Sequence, residues 1–169
     1  MKNKRILFSL AGLVVASFVI NSCKKEDQSN IPNLFSTGAW QLASVNVYHY
    51  IGDAQESVDT LNTDCDTTQL FIFNKDMTCT YTNFDCKAQP TATGTWSLAK
   101  NKLTLYADMV CKDTTAVGSS KPFANAQIFN IGQFSLVLQT GDTNPYYTST
   151  QVRTVTRYGF IRQKTTSTN

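Results

Sequence analysis

A single histidine, His49, serves the whole 169-residue chain. Imidazole metal sites and histidine-based acid–base catalysis are therefore hard to assemble. Charge is scarce as well, at 16% of residues against ~25% in ordinary globular domains. No G-x-S-x-G, H-E-x-x-H or phosphate-binding loop is present. Asp59, Asp64 and Asp66 lack the D-x-D-x-D-G spacing of a calcium loop. The first 22 residues hold no acid, while Lys2, Lys4 and Arg5 supply three of the 15 basic residues. The other twelve balance the twelve acids, so the body of the chain is neutral and has no electrostatic footprint for nucleic acid. What the chain has instead is apolar content: 41% hydrophobic and 11% aromatic residues, enough for one domain with a real core and too much for disorder.

Residues 2–5 carry positive charge, and Ile6 to Ile20 follow without any. Fifteen residues span only ~22 Å as a helix, short of the ~30 Å hydrocarbon core, so the pattern reads as a secretory signal peptide over residues 1–22. Ile20-Asn21-Ser22-Cys23 resembles a bacterial lipobox. That resemblance implies cleavage before Cys23 and its acylation, with palmitate-type chains anchoring the protein at ~0.8 kcal/mol per buried CH₂. Residues 23–33 then form a lipidated Cys and flexible tether. Lys24-Lys25-Glu26-Asp27 lacks Asp directly after the Cys and resembles a surface-export tag. The expected location is the outer membrane, with surface and periplasmic orientations both open.

From Leu34 to Lys164 the chain shows short alternating runs rich in Thr, Val, Tyr and Phe, and no helix-period segment of useful length. Strands are predicted at 38–50, 67–74, 77–85, 92–99, 102–109, 124–131, 133–140 and 150–162. Short turns between neighbours imply an antiparallel meander, a sandwich or an up-and-down barrel. Two long connections remain, at 51–66 and 110–123. The second is polar and reads as a mobile loop or lid. Residues 165–169 read as a disordered tail. Gly38-Ala39-Trp40-Gln41-Leu42-Ala43 and Gly94-Thr95-Trp96-Ser97-Leu98-Ala99 share G-x-W-x-L-A, two strand starts each with a core Trp.

Four cysteines besides Cys23 favour disulfides in an exported domain. If strands two and three turn at Lys75-Asp76, facing residue numbers sum to 151, as Cys65 and Cys86 do. A Cys65–Cys86 bond is thus expected, worth ~3 kcal/mol. Elimination leaves Cys79 with Cys111, a pair that meets only if the 110–123 segment folds back. The spacing does not suit metal, and no metal or other cofactor is expected.

The lipobox, Gly38-x-Trp40, the cysteine before Leu70-Phe71-Ile72-Phe73-Asn74-Lys75-Asp76, Cys86, and Gly94-Thr95-Trp96-Ser97-Leu98 occur in an order that resembles the lipocalin-like domain of small Gram-negative lipoproteins. The resemblance implies an all-β, eight-stranded antiparallel barrel over residues 34–164. It also implies a basic side chain packed on Trp40, from Arg157 or Arg162. Asp59-Thr60-Leu61, Asp66-Thr67-Thr68 and Asp113-Thr114-Thr115 are similar to acceptors for O-glycosylation in some such bacteria, at Thr60, Thr67 and Thr114.

His49 reads as a partly exposed strand residue, and Tyr146-Tyr147 as a loop pair near the barrel mouth. The expectation is a non-enzymatic, monomeric lipoprotein that touches the membrane through its lipid and binds a small apolar or amphipathic molecule. Phe71, Phe73, Tyr81, Trp96 and Leu105 would line the pocket. The other reading is an accessory surface protein with a filled core that contacts a protein or glycan through its loops. Cavity volume separates the two.

Overall fold

The computed structural model describes residues 28–61 and 64–163. The signal peptide, Cys23 and its lipidation, the start of the tether and the tail 165–169 lie outside them. Of the compact unit that ends at Asn30, the 3₁₀ turn Gln28–Asn30 is described, and all that follows belongs to the unit beginning at Ile31. A five-residue helix, α1 (Ile31–Phe35), takes the place of the expected extended tether at 31–33, and its Phe35 is fully buried.

Eleven strands follow: β1 (Ala39–Ile51), β2 (Ala54–Leu61), β3 (Leu70–Phe73), β4 (Thr78–Tyr81), β5 (Ala92–Leu98), β6 (Thr104–Ala107), β7 (Cys111–Lys112), β8 (Ser119–Ser120), β9 (Ala126–Ile131), β10 (Ser135–Gly141) and β11 (Val152–Arg162). Eight of them, β1, β3, β4, β5, β6, β9, β10 and β11, form an antiparallel barrel closed by the β11–β1 pair. These are the eight predicted strands. Alternation selects the inward set, because side chains on a strand change faces at every residue. Phe71 and Phe73, Cys79 and Tyr81, Trp96, Leu105 and Ala107, and Leu136 and Leu138 all point into one core. A bulge between Leu42 and Ser44 resets the phase of β1, so Trp40, Leu42 and Val45 share the inner side.

Three differences from expectation follow from local chemistry. First, the 51–66 connection contains β2, which pairs with the far half of β1 after the barrel edge has passed to β3. All eight β2 residues are exposed, so no hydrophobic alternation marks it. Second, the β3–β4 register is displaced by one. Phe71 faces Tyr81 and Phe73 faces Cys79, because the turn closes from Asn74 to Thr78 with Met77 in the left-handed region. Cys65 and Cys86 still join, with Cα atoms 5.4 Å apart. They do so beyond the ladder, where Asn83, Asp85 and Cys86 take positive φ around the 3₁₀ turn Phe84–Cys86. Third, the 110–123 segment is neither lid nor open loop. Cys111 and Lys112 pair with Ser120 and Ser119 in a small hairpin. Gln89 clamps this hairpin by accepting from Lys112 N–H at 2.8 Å and donating to Lys112 O at 3.0 Å. Met109, Cys111 and Phe123 are buried in the barrel.

Candidate functional site

The barrel interior is solid. Phe123 projects inward from the returning end of the 110–123 segment, where Ala107 N–H donates to Phe123 O at 2.9 Å. Its ring lies 5.0 Å from Phe71, 5.1 Å from Tyr158 and 5.8 Å from Tyr81. Phe71 in turn stacks on Phe73 at 4.0 Å, and Phe73 meets Trp96 at 5.4 Å. The structure therefore brings Phe71, Phe73, Tyr81, Trp96 and Leu105 together as expected, packed in one core, and Trp96 also borders a hollow of about 330 Å³ with Thr95, Tyr106, Asp108 and Lys121. The cavity left near the mouth, among Leu42, Val45, Leu61, Gln69, Phe84 and Tyr158, measures about 50 Å³. Small-molecule sites need ~300 Å³ or more.

The outer wall carries the feature that the sequence reading missed. On the outward face of β1, Tyr48 and Tyr50 stack with centroids 6.3 Å apart. Two arginines of β11 interleave with them. Arg153 lies 5.1 Å from the Tyr50 ring and 3.5 Å from Tyr147. Arg157 lies 4.4 Å from Tyr48 and 4.1 Å from Phe129 of β9. Each contact is a cation–π pair worth ~0.5–1 kcal/mol at exposed positions. Arg153 is largely buried, with Nη2 donating to Gly52 O at 2.8 Å. Tyr147 is held over it by its hydroxyl, which donates to Asp53. Tyr147 thus lies against the outer wall rather than over the mouth, and Tyr146 is 87% exposed. At the other end, Arg157 fronts a hollow of about 250 Å³ lined by Ser44, Asn46, Tyr48, Phe129, Asn130, Val137 and Gly159. The available signal was Tyr at i and i+2 and Arg at i and i+4 in the first and last strands. It becomes a site only once those strands pair.

The closed barrel end answers the question left open about Trp40. Its partner across the β1–β11 ladder is Arg162, whose guanidinium carbon sits 4.1 Å from the Trp40 ring. Arg162 also donates from Nη2 to Leu34 O at 2.7 Å, which ties α1 across the end. Trp40 Nε1 donates to Phe35 O at 3.1 Å. Gly38 enters β1 at φ +87, a conformation that favours glycine. Arg157 is therefore not the barrel-end cation. The family model described as lipocalin-like domain matches residues 37–138. The chain belongs to the lipocalin-like domain family. A crystal structure of a DUF4847 family protein from Bacteroides vulgatus is similar at 14% identity and a TM-score of 0.49, covering 80% of this chain and 99% of its own. No curated protein matches the sequence.

The remaining candidate residues of this lipocalin-like domain are dispersed. His49 Nε2 meets Asp59 Oδ2 at 2.9 Å across β1–β2, a surface pair worth ~0–1 kcal/mol. Among the described residues no group of three or more His, Cys, Asp or Glu could hold a metal. Thr60, Thr67 and Thr114 are all exposed, but Thr60 lies within β2 rather than in a loop and donates to Asn46 Oδ1 at 3.0 Å. Thr114 N–H donates to Asp85 at 2.7 Å.

Cys79 and Cys111 are not bonded to each other; both are free, buried thiols. Burial, aided by Asp108, pushes Cys79 up to about 12. Burial, aided by Asp113, pushes Cys111 up to about 11. The thiolate is the reactive form, so both should be inert while the fold is intact. In a Cys23→Ser chain at pH 8, a chromogenic disulfide reagent is expected to titrate no thiol until guanidinium is added, and then to titrate both. Prompt reaction of either in native buffer would show that the core admits solvent.

Proposed function

We infer that this protein is a non-catalytic, lipid-anchored envelope lipoprotein whose lipocalin-like barrel is a solid scaffold, and that it makes its contacts from the outer wall and loops. The single observation that carries this reading is the filled interior, where Phe123, Phe71, Tyr81 and Leu105 are all fully buried and the cavity among Leu42, Val45, Phe84 and Tyr158 holds about 50 Å³. A barrel of eight strands either holds one small ligand or is filled by its own side chains. Here the side chains occupy the space. The anchor rests on the lipobox-like Ile20-Asn21-Ser22-Cys23 after an uncharged fifteen-residue run, and outer-membrane placement rests on the Lys-Lys-Glu-Asp that follows.

Native mass spectrometry of the processed protein, purified from its own host, tests both parts. The expected spectrum shows a monomer with acyl chains on Cys23 and no further bound molecule. A co-purifying small molecule in stoichiometric amount would restore the pocket reading, and an unmodified Cys23 would remove the anchor.

A further inference from the structure

We propose that the outer-wall hollow at Arg157 binds an acidic monosaccharide unit of a glycan, with its carboxylate on the guanidinium and its ring against Phe129. This rests on the reading above, that the barrel works from its outside. Three arginines of β11 stack on aromatic rings, and their surroundings differ. Arg153 is covered by Tyr147 and bonded to Gly52 O, and Arg162 is tied to Leu34 O at the barrel end. Arg157 faces an open hollow. Its Nε donates to Gln139 Oε1 at 2.9 Å, and Gln139 Nε2 donates to Gln127 Oε1 at 3.1 Å. With rings on Tyr48 and Phe129 as well, the guanidinium is oriented before any ligand arrives, which lowers the ordering cost of binding. Its Nη fork suits a planar carboxylate. Among the described residues no acid pairs with it, and none lines the hollow.

The hollow exists because Gly159 faces Ser44 across the β1–β11 ladder. A Cβ at Gly159 would meet Ser44 Oγ at 2.5 Å, a contact that rotation of the Ser44 side chain relieves, so the wall is bare here because glycine has no side chain of its own. The resulting volume, about 250 Å³, is just below the ~300 Å³ of drug-sized sites and fits a single ring. Its walls mix functions. Ser44, Asn46 and Asn130 offer hydroxyl and amide groups. Asn46 Oδ1 accepts from Thr60, which leaves its amide N–H groups to donate. Phe129 is 56% exposed, an apolar plate beside polar groups. A bare inorganic anion has no use for the plate, and a lipid chain would need a deeper apolar floor. A sugar ring has C–H faces for Phe129 and hydroxyls for the amides.

Saturation-transfer NMR on the processed protein in detergent, with D-glucuronate as probe, tests the site. Saturation of the ring protons is expected at millimolar glucuronate, with at least ten-fold weaker binding of D-glucose. Arg157→Gln should weaken glucuronate binding about ten-fold, or ~1.4 kcal/mol. Phe129→Ala, at an exposed position that cannot disturb the core, should weaken it as well. Arg157→Lys should retain a remnant, since it keeps the charge and loses the fork. Absence of saturation, undiminished binding in Phe129→Ala, or displacement by acetate at the same concentration as glucuronate would each overturn the site. Failure here alongside a ligand-free native mass leaves the solid barrel standing. A stoichiometric interior ligand overturns the solid barrel instead.

Discussion

Phe123→Ala lowers the stability of the barrel by about 3–5 kcal/mol, the cost of deleting a fully buried phenyl ring together with the cavity it leaves. Phe123 is 0% exposed and touches Phe71, Tyr81, Phe84, Tyr158 and Phe160. These rings come from β3, β4, the Phe84–Cys86 turn and β11, so few could move inward to fill the gap. The collapse that softens many large-to-small changes is therefore restricted, and the cost belongs at the upper part of the range. The natural comparison is urea unfolding of the two proteins, with an unchanged slope to show that the denatured state is the same. A second readout separates packing from other causes. An apolar cavity of ring size stays dry and takes benzene, so benzene should raise the unfolding temperature of the variant and leave the parent unmoved. A loss under ~1 kcal/mol, or equal benzene responses, would mean that the 110–123 segment does not fill the barrel.

That segment also shows what a sequence can and cannot disclose. The eight barrel strands were legible because each buries one face, and burial on one face writes a period of two. Trp40 and Trp96, both in G-x-W-x-L-A, were legible as core residues for the same reason, and both are buried. β2 was not, because Ala54–Leu61 buries neither face and selection leaves no alternation there. The Lys, Asp, Thr, Gly and Ser of the 110–123 segment have the composition of a polar loop. Met109, Cys111 and Asp113 are nevertheless all buried at spacing two, a signal that its composition drowned out. The hairpin register slipped by one because Met77 holds a positive φ that Gly or Asn would have advertised. The sequence offers two arginines for Trp40 and does not choose between them. Arg157 and Arg162 lie five residues apart in β11, so they fall on opposite faces, and only the β1–β11 register decides which meets Trp40. The outer-wall hollow depends on that same pairing between the two ends of the domain, which no local pattern contains.

Raising the pH above 9 is expected to destabilise the protein progressively. Four buried groups carry protons that the unfolded chain gives up more easily. Burial pushes Cys79 up to about 12 and Cys111 up to about 11, against 9.0 when exposed. It pushes Tyr158 up to about 12 and Tyr81 well above its ordinary 10.0. Between the unfolded and folded values the native state binds more protons than the denatured one, so stability decreases with pH. The stabilisation is complete below pH 9, where both states are protonated, and is lost as the unfolded thiols and then the phenols ionise. Each unit of separation is worth ~1.4 kcal/mol per group, so the loss by pH 11 is on the order of 5 kcal/mol, a large part of the ~5–15 kcal/mol that a domain possesses. Asp76, Asp108 and Asp113, held below the ordinary carboxylate range by hydrogen bonds to Thr78, Thr95, and Ser120 and Thr115 respectively, act only at the acid end and do not offset it. Urea midpoints at pH 8, 9, 10 and 11 should fall progressively. In a Cys79→Ala, Cys111→Ala chain the decline should begin about one unit later, where tyrosine ionises. An identical onset in both proteins would exclude the thiols as its source, and a flat profile to pH 11 would mean that water reaches these groups in the folded barrel.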